Sequence, residues 1–359
     1  MSWLWMLLMM LAPVDSCQVV TSLDNSIIWL DPSTGEVQTQ SAGESLFFFG
    51  EHEGVLYGVS SYYLTYNKNI YAVTQESIEP ILVTAYPDAT LSPDGDQFAY
   101  LGYDQVDNPF NMSELLVYFN TMVENPEASI TMQLRVFDIE DRESHPLFDV
   151  VTIDNPEDLS ASVDDIQFVV GSTWVSSGIV MVVESTQVSE LRLYTSEGNQ
   201  LIATLPYLTS RSTLRPGANF LSVSPNRIAV TLTEPPAATA EESLNLLDVG
   251  EQVIYVVDIE TGEVSRLGEG VYPQWSPDGR YLAYKEYDVL YIYAVETGEI
   301  TSYSAQVSGE FGWSPDSTQV AYLVDDHIDI LNVVDGNIQS FEINAEVTIE
   351  DANVIWMCN

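Results

Sequence analysis

The sequence predicts an all-β fold, a seven-bladed β-propeller of four-stranded blades closed by pairing of the C-terminal strand with the N-terminal strands. Three observations predict it. A Ser-Pro-Asp or Ser-Pro-Asn turn recurs at Leu91-Ser92-Pro93-Asp94-Gly95, Val223-Ser224-Pro225-Asn226, Trp275-Ser276-Pro277-Asp278-Gly279 and Trp313-Ser314-Pro315-Asp316-Ser317. Near the C-terminus the surrounding unit repeats every ~40 residues, the period of a propeller blade. The two chain ends carry complementary fragments of one further unit.

The turn comes first because its chemistry is explicit. Proline presets φ at the first central position, Asp or Asn bonds back to its own backbone, and Gly or Ser relaxes the exit. Val271 to Tyr303 and Glu310 to Phe341 each read as an apolar strand, this turn, and three alternating strands. Each copy therefore reverses the chain inside a blade.

Every unit ends in an outer hairpin with a glycine-bearing loop, as in Leu290 to Tyr303 around Gly298. Hairpins begin at residues 27, 70, 134, 191, 254, 290 and 328, which gives seven blades. The last two are minimal, whereas the third and fifth carry insertions, 105–129 and 234–251, between their second and third strands. Seven sheets close into a ring without a long exposed edge.

Closure is read from the ends. The first hairpin is preceded only by Val19-Val20-Thr21-Ser22, which aligns with the second blade strand at Leu282-Ala283-Tyr284-Lys285. Its inner strand is missing. After the seventh hairpin the chain still holds Asn353-Val354-Ile355-Trp356-Met357, with Trp356 where Trp275 and Trp313 stand. The C-terminus supplies the inner strand of the first blade.

That alignment places Cys17 over Arg280 and Cys358 over Pro277, on either side of the one strand-to-strand turn the chain lacks. A disulfide between them would restore the missing covalent turn. Two other states stay open at this point: Cys17 as a lipid-modified N-terminal residue, after Val14-Asp15-Ser16, and two free thiols. The lipid state would anchor the chain to a membrane.

Residues 3–12, Trp-Leu-Trp-Met-Leu-Leu-Met-Met-Leu-Ala, are apolar but too short to span a bilayer, and small residues follow at Val14 and Ser16. Residues 1–16 are expected to be a signal peptide, although Met1-Ser2 lacks the usual basic residue, and 17–359 the propeller. The compartment implied is extracytoplasmic: secreted, periplasmic or cell-surface.

Fifty-four acidic against ten basic side chains give a formal charge of −44, with lysine only at Lys68 and Lys285. Such a field repels nucleic acid and anionic membrane surfaces. With 46% hydrophobic and only 18% charged residues, the chain nevertheless has the composition of a folded protein.

The turn, followed by a Leu-Ala-Tyr or Val-Ala-Tyr strand, resembles the TolB-like propellers, relatives of the WD40-like repeats. The likeness is good at Trp275 to Tyr284 and Trp313 to Tyr322, fair at Leu91 to Tyr100 and partial at Val223 to Val230. It covers four blades at motif level, and in that family these residues are structural. The resemblance implies the fold; its relatives include periplasmic partner-binding proteins and substrate-gating propellers of serine peptidases.

No Gly-x-Ser-x-Gly elbow accompanies it, so a peptidase partner domain is not expected in this chain. His52, His145 and His327 are isolated from one another and lack metal-ligand spacing. Acidic clusters at Asp104 to Asp107, Asp154 to Asp158, Asp164-Asp165 and Asp325 to Asp329 leave Ca2+ as a cofactor to test, none of them matching an EF-hand loop.

The insertions are the informative departures from the repeat. In the first, Asn111-Met112-Ser113-Glu114 opens a helix pattern with Leu115, Leu116, Phe119 and Met122 on one face. The second begins Pro235-Pro236 and ends near Leu246 and Leu247. Repeat proteins carry such insertions on the binding face, so these six apolar residues form the candidate recognition surface. The Tyr62-Tyr63-Leu64-Thr65-Tyr66 segment is a second, carbohydrate-platform candidate.

The function expected is a non-catalytic propeller that binds a protein or polysaccharide partner through one face. The competing expectation is a channel-site enzyme or a calcium-dependent, glycan-active propeller. The channel wall discriminates between them.

Overall fold

The second strands of several blades carry uninterrupted apolar runs. Ile179-Val180-Met181-Val182-Val183, Ile228-Ala229-Val230 and Val320-Ala321-Tyr322-Leu323 are all buried. Successive side chains of a strand point to opposite faces, so such runs need cover on both sides. Sheets stacked side by side in a ring supply it.

The computed structural model of the protein describes residues 17–23, 25–60, 68–84, 89–103, 129–154, 168–184, 188–207, 221–234, 250–304, 306–343 and 353–358. Blade one holds β1 (Cys17–Leu23), β2 (Ser26–Asp31) and β3 (Glu36–Ser41); blade two holds β4 (Leu46–His52), β5 (Val55–Ser60), β6 (Lys68–Val73) and β7 (Ile78–Thr84). Blade three is β8 (Ala89–Leu91), β9 (Gln97–Tyr103), β10 (Ser129–Asp138) and β11 (Glu143–Asp154); blade four is β12 (Phe168–Val175), β13 (Gly178–Glu184), β14 (Ser189–Thr195) and β15 (Gly198–Leu205). Blade five is β16 (Leu221–Val223), β17 (Arg227–Glu234), β18 (Glu251–Asp258) and β19 (Val264–Glu269); blade six is β20 (Val271–Trp275), β21 (Tyr281–Glu286), β22 (Val289–Ala294) and β23 (Glu299–Ser304). Blade seven is β24 (Val307–Trp313), β25 (Gln319–Val324), β26 (His327–Asn332) and β27 (Ile338–Glu342), and β28 (Val354–Cys358) returns to blade one, in the order β28-β1-β2-β3.

Closure has the register read from the sequence. Trp356 pairs with Val19 as Trp275 pairs with Leu282, and the same antiparallel ladder sets Cys17 opposite Cys358. The two form a disulfide, with Cα atoms 4.1 Å apart across a sequence separation of 341. A sulfur in that bond cannot also carry a lipid thioether, so the lipid-anchor reading of Cys17 is corrected, as is the free-thiol reading.

The core lies between blades. Seven separate apolar clusters each join one neighbouring pair, from Val20, Ile27 and Met357 against Leu46 and Leu56 at blades one and two, to Ala321, Leu323 and Ile330 against Val19 and Ile28 at blades seven and one. Seven interfaces for seven blades means a closed ring. Each blade is thus half of two cores, and none is expected to fold by itself.

Both kinds of tight turn fall on one face of the disc, because an antiparallel meander places first-to-second and third-to-fourth turns at the same end. The second-to-third links and blade-to-blade connections leave from the opposite, link face. The insertions join strand ends there, but their bounds are narrower than the sequence indicates. Ser129 begins β10, and Glu234 and Glu251 are a register pair that extends the β17–β18 ladder, so the fifth-blade link is 235–250.

Candidate functional site

In the repeated turn the aspartate accepts from the backbone as the sequence predicts, Asp278 Oδ1 from Arg280 N and Asp316 Oδ1 from Thr318 N, both at 3.0 Å, and the serine adds a second set of bonds. Ser276 Oγ accepts from Tyr281 N at 3.0 Å and donates to Asp278 Oδ1 at 2.8 Å, while Ser276 N donates to Tyr281 O. Ser314 and Ser92 repeat the arrangement with Gln319 and Asp316, and with Gln97 and Asp94. The exit residue is left-handed each time, at Gly95 (φ +76°), Gly279 (φ +69°) and Ser317 (φ +63°).

That exit residue also touches the preceding blade. Asp278 N donates to Ser317 Oγ at 3.1 Å, and a Cβ on Gly279 would sit 3.3 Å from that of Ser224. A Cβ on Gly95 would fall 1.9 Å from His52 Cγ. His52 is the last residue of β4 and packs on the next blade's turn, so its place is structural. Turns therefore touch between blades two and three, five and six, and six and seven.

Inside the ring, a channel of about 360 Å³ is lined from all seven inner strands, including Phe48, Thr90, Thr173, Ser222, Gln274 and Gly312. Among the described residues its wall contains no Asp, Glu, Lys, Arg or His. In a chain of net charge −44 that is a strong segregation.

Several wall polar groups are already used between blades. Trp174 Nε1 donates to Thr90 O at 2.9 Å, Trp313 Nε1 to Gln274 O at 3.0 Å and Trp356 Nε1 to Gly312 O at 3.1 Å. Each indole reaches the inner-strand carbonyl of the preceding blade, one residue before the turn-proximal position. Asn353 clamps blade one to blade two, accepting from Phe48 N at 3.1 Å and donating to Phe48 O at 2.5 Å. Ser222 Oγ accepts from Trp275 N at 2.9 Å, whereas Trp275 Nε1 is buried with no hydrogen-bond partner among the described residues. Sequence comparison of the repeats flagged Trp275, Trp313 and Trp356 as equivalent; the donor role of the indoles needed the blade-to-blade geometry.

The remaining histidines lie away from the channel wall. His145 on β11 faces Glu143 at 3.7 Å, both largely exposed. His327, though apart from the other histidines, has two carboxylate neighbours: Nδ1 lies 3.3 Å from Asp326 Oδ1 and Nε2 3.4 Å from Asp329 Oδ1. Period-two alternation places 327 and 329 on one strand face, which was the legible signal. Asp329 is also the register partner of buried Tyr322, whose phenol is pushed well up by burial and then by this carboxylate. A base needs one nitrogen toward its substrate. Both nitrogens of His327 face carboxylates, so the cluster reads as structural.

Leu115, Leu116, Phe119, Met122, Leu246 and Leu247 lie outside the described residues, as do the tyrosines at 62, 63 and 66, residues 1–16, and Asp104 to Asp107 and Asp164-Asp165. Among the described residues no group of three or more His, Cys, Asp or Glu side chains is placed to hold a metal ion. Nor is any helix there long and apolar enough to cross a membrane.

No family model matches the chain, and no curated protein matches it. Solved structures do match. A functionally unknown protein from Desulfotomaculum acetoxidans DSM 771 aligns with a TM-score of 0.54 at 9% identity, over 94% of this chain and 98% of that one. The β-propeller domain of the Trilobed protease from Pyrococcus furiosus gives 0.54 at 13% identity, over 92% and 93%. The chain is a seven-bladed β-propeller. An oligogalacturonate lyase in complex with manganese gives 0.50 at 12% identity, over 88% and 81%. At such identities the likeness is one of fold, which unrelated activities share. The Pyrococcus domain is described as having an open velcro topology, whereas here β28 pairs with β1 and a disulfide joins them.

Proposed function

We propose that the protein is a secreted, non-catalytic propeller, akin to the TolB-like propellers its turns resemble, that binds a protein or polysaccharide partner through its link face. The observation that carries this reading is the channel wall. Acid–base, nucleophilic and hard-metal chemistry all draw on titratable side chains. The described wall offers none, and its Asn and Trp side chains hold blades together.

Two further observations support it. The disulfide is consistent with an oxidising compartment and hence with residues 1–16 as a secretion signal. The insertions 105–128 and 235–250 both join strand ends on the link face, away from the tight turns, where recognition loops can vary without disturbing the repeat. Partner recovery tests the reading. Replacing 105–128 by a short Gly-Ser link is expected to abolish recovery of the bound partner from the source organism's extracytoplasmic fraction and to leave the melting temperature within a few degrees. Unchanged recovery would remove the proposed surface, and turnover dependent on a channel residue would remove the non-catalytic assignment.

A further inference from the structure

Seven of the chain's twenty tyrosines fall between Val271 and Ser304, in blade six. Some are packed as expected: Tyr284 and Tyr291 stack with centroids 5.2 Å apart and planes 11° from parallel. Tyr287 is 84% exposed. It opens the two-residue turn Tyr287-Asp288 between β21 and β22, inside the register pair Glu286 and Val289. Its φ is +52°.

Two-residue hairpin turns require left-handed backbone and favour Asn, Asp or Gly. The corresponding link-face turns obey that rule, with Asn25 at φ +77° in blade one and Asp325 at φ +45° in blade seven. A bulky side chain in this conformation is strained, and at this exposure burial does not offset the strain. Tyr272, at φ +56°, repeats the anomaly in the β20 bulge; the pairing of Val271 with Lys285 places it at the same end of the blade. Two left-handed tyrosines therefore mark the link face of blade six.

We propose that Tyr287, between Glu286 and Asp288, is the contact point for a cationic segment, a Lys- or Arg-bearing stretch of a partner protein. This rests on the binding role proposed above and narrows it to a partner chemistry. The exposed ring offers its negative face to an ammonium or guanidinium group. The carboxylates of Glu286 and Asp288 flank that ring in sequence, and the −44 charge of the chain attracts cations and repels anionic partners. Charge complementarity thus selects one class of occupant, and the tyrosine gives it a position.

Fluorescence anisotropy on the full chain with labelled hexalysine, and with hexaserine as the neutral control, tests the assignment. Wild type is expected to bind hexalysine and not hexaserine. Tyr287→Asn, a turn-compatible change, is expected to weaken binding by ~3- to 10-fold, Tyr287→Phe to retain it, and Tyr287→Asn to melt no lower than wild type. Equal hexalysine affinity in wild type and Tyr287→Asn would overturn the proposal, since a diffuse acidic field would then suffice. So would no hexalysine binding, a lower melting temperature for Tyr287→Asn, or a neutral oligosaccharide held through Tyr287 in place of hexalysine. None of these outcomes touches the scaffold reading, which depends on partner recovery with and without 105–128.

Discussion

Ser276 shows how much one hydroxyl carries. It satisfies the part-buried Tyr281 N–H and orients Asp278, whose backbone N–H in turn reaches Ser317 of the next blade. Ser276→Ala should cost about 1 kcal/mol, the net value of a typical hydrogen bond, as measured by urea denaturation; a change near zero would move the turn's strength elsewhere. Gly95→Ala should cost more, because the new Cβ collides with His52 and the backbone is left-handed. His52→Ala should recover part of that loss in a double-mutant cycle, and strict additivity would refute the packing role of His52. The sequence disclosed the Ser-Pro-Asp positions but not which side chain was the hub, since a motif records identity and not donor direction. His52 escaped for a related reason: its contact is with a residue 43 positions later, in another blade.

At the scale of strands and turns, the repeat was legible wherever periodicity alone decides structure. The seven hairpins, the orphan inner strand at Val354 and the register of Trp356 on Val19 all follow from counting. What counting missed lies between elements: the indole-to-carbonyl bonds that tie inner strands together, and the pairing of Glu234 with Glu251 that shortens an insertion. Trp356→Phe keeps the aromatic bulk and deletes the bond to Gly312 O, and should lower stability by about 1 kcal/mol; an unchanged urea midpoint would show that the indole serves only by packing. The turn carboxylates give a pH signature. Asp31, Asp94, Asp138 and Asp258 are held below the ordinary 3.8 by hydrogen bonds from Ser33, Ser92, Asp141 and Thr261 respectively. A depressed carboxylate stabilises the fold above its ordinary value, and that stability is lost as pH falls through the folded value. In ~1 M NaCl, which screens the net charge, the denaturation midpoint should be flat from about pH 7 to 5 and fall below about pH 4. A midpoint that rises steadily on acidification would contradict this.

The whole molecule is a ring whose cores lie between blades, so its stability depends on closure as much as on any blade. The charge of −44 opposes that closure by self-repulsion. Raising NaCl from about 10 to 500 mM should therefore raise the melting temperature, and a temperature that does not move would show that the carboxylates are too dispersed to matter. The channel, by contrast, could not be read in advance, because its wall takes one or a few residues from each of seven strands and no linear pattern joins them. The central claim is that the two chain ends complete one blade and are locked there by Cys17 and Cys358. Peptide mapping of the purified protein, alkylated before and after reduction, tests it most directly. The predicted result is a linked Cys17–Cys358 peptide with no alkylation before reduction, two adducts after it, and a loss of about 6 kcal/mol on the chain-entropy estimate. Alkylation of both cysteines in the unreduced, folded protein, with stability unchanged by reductant, would contradict it.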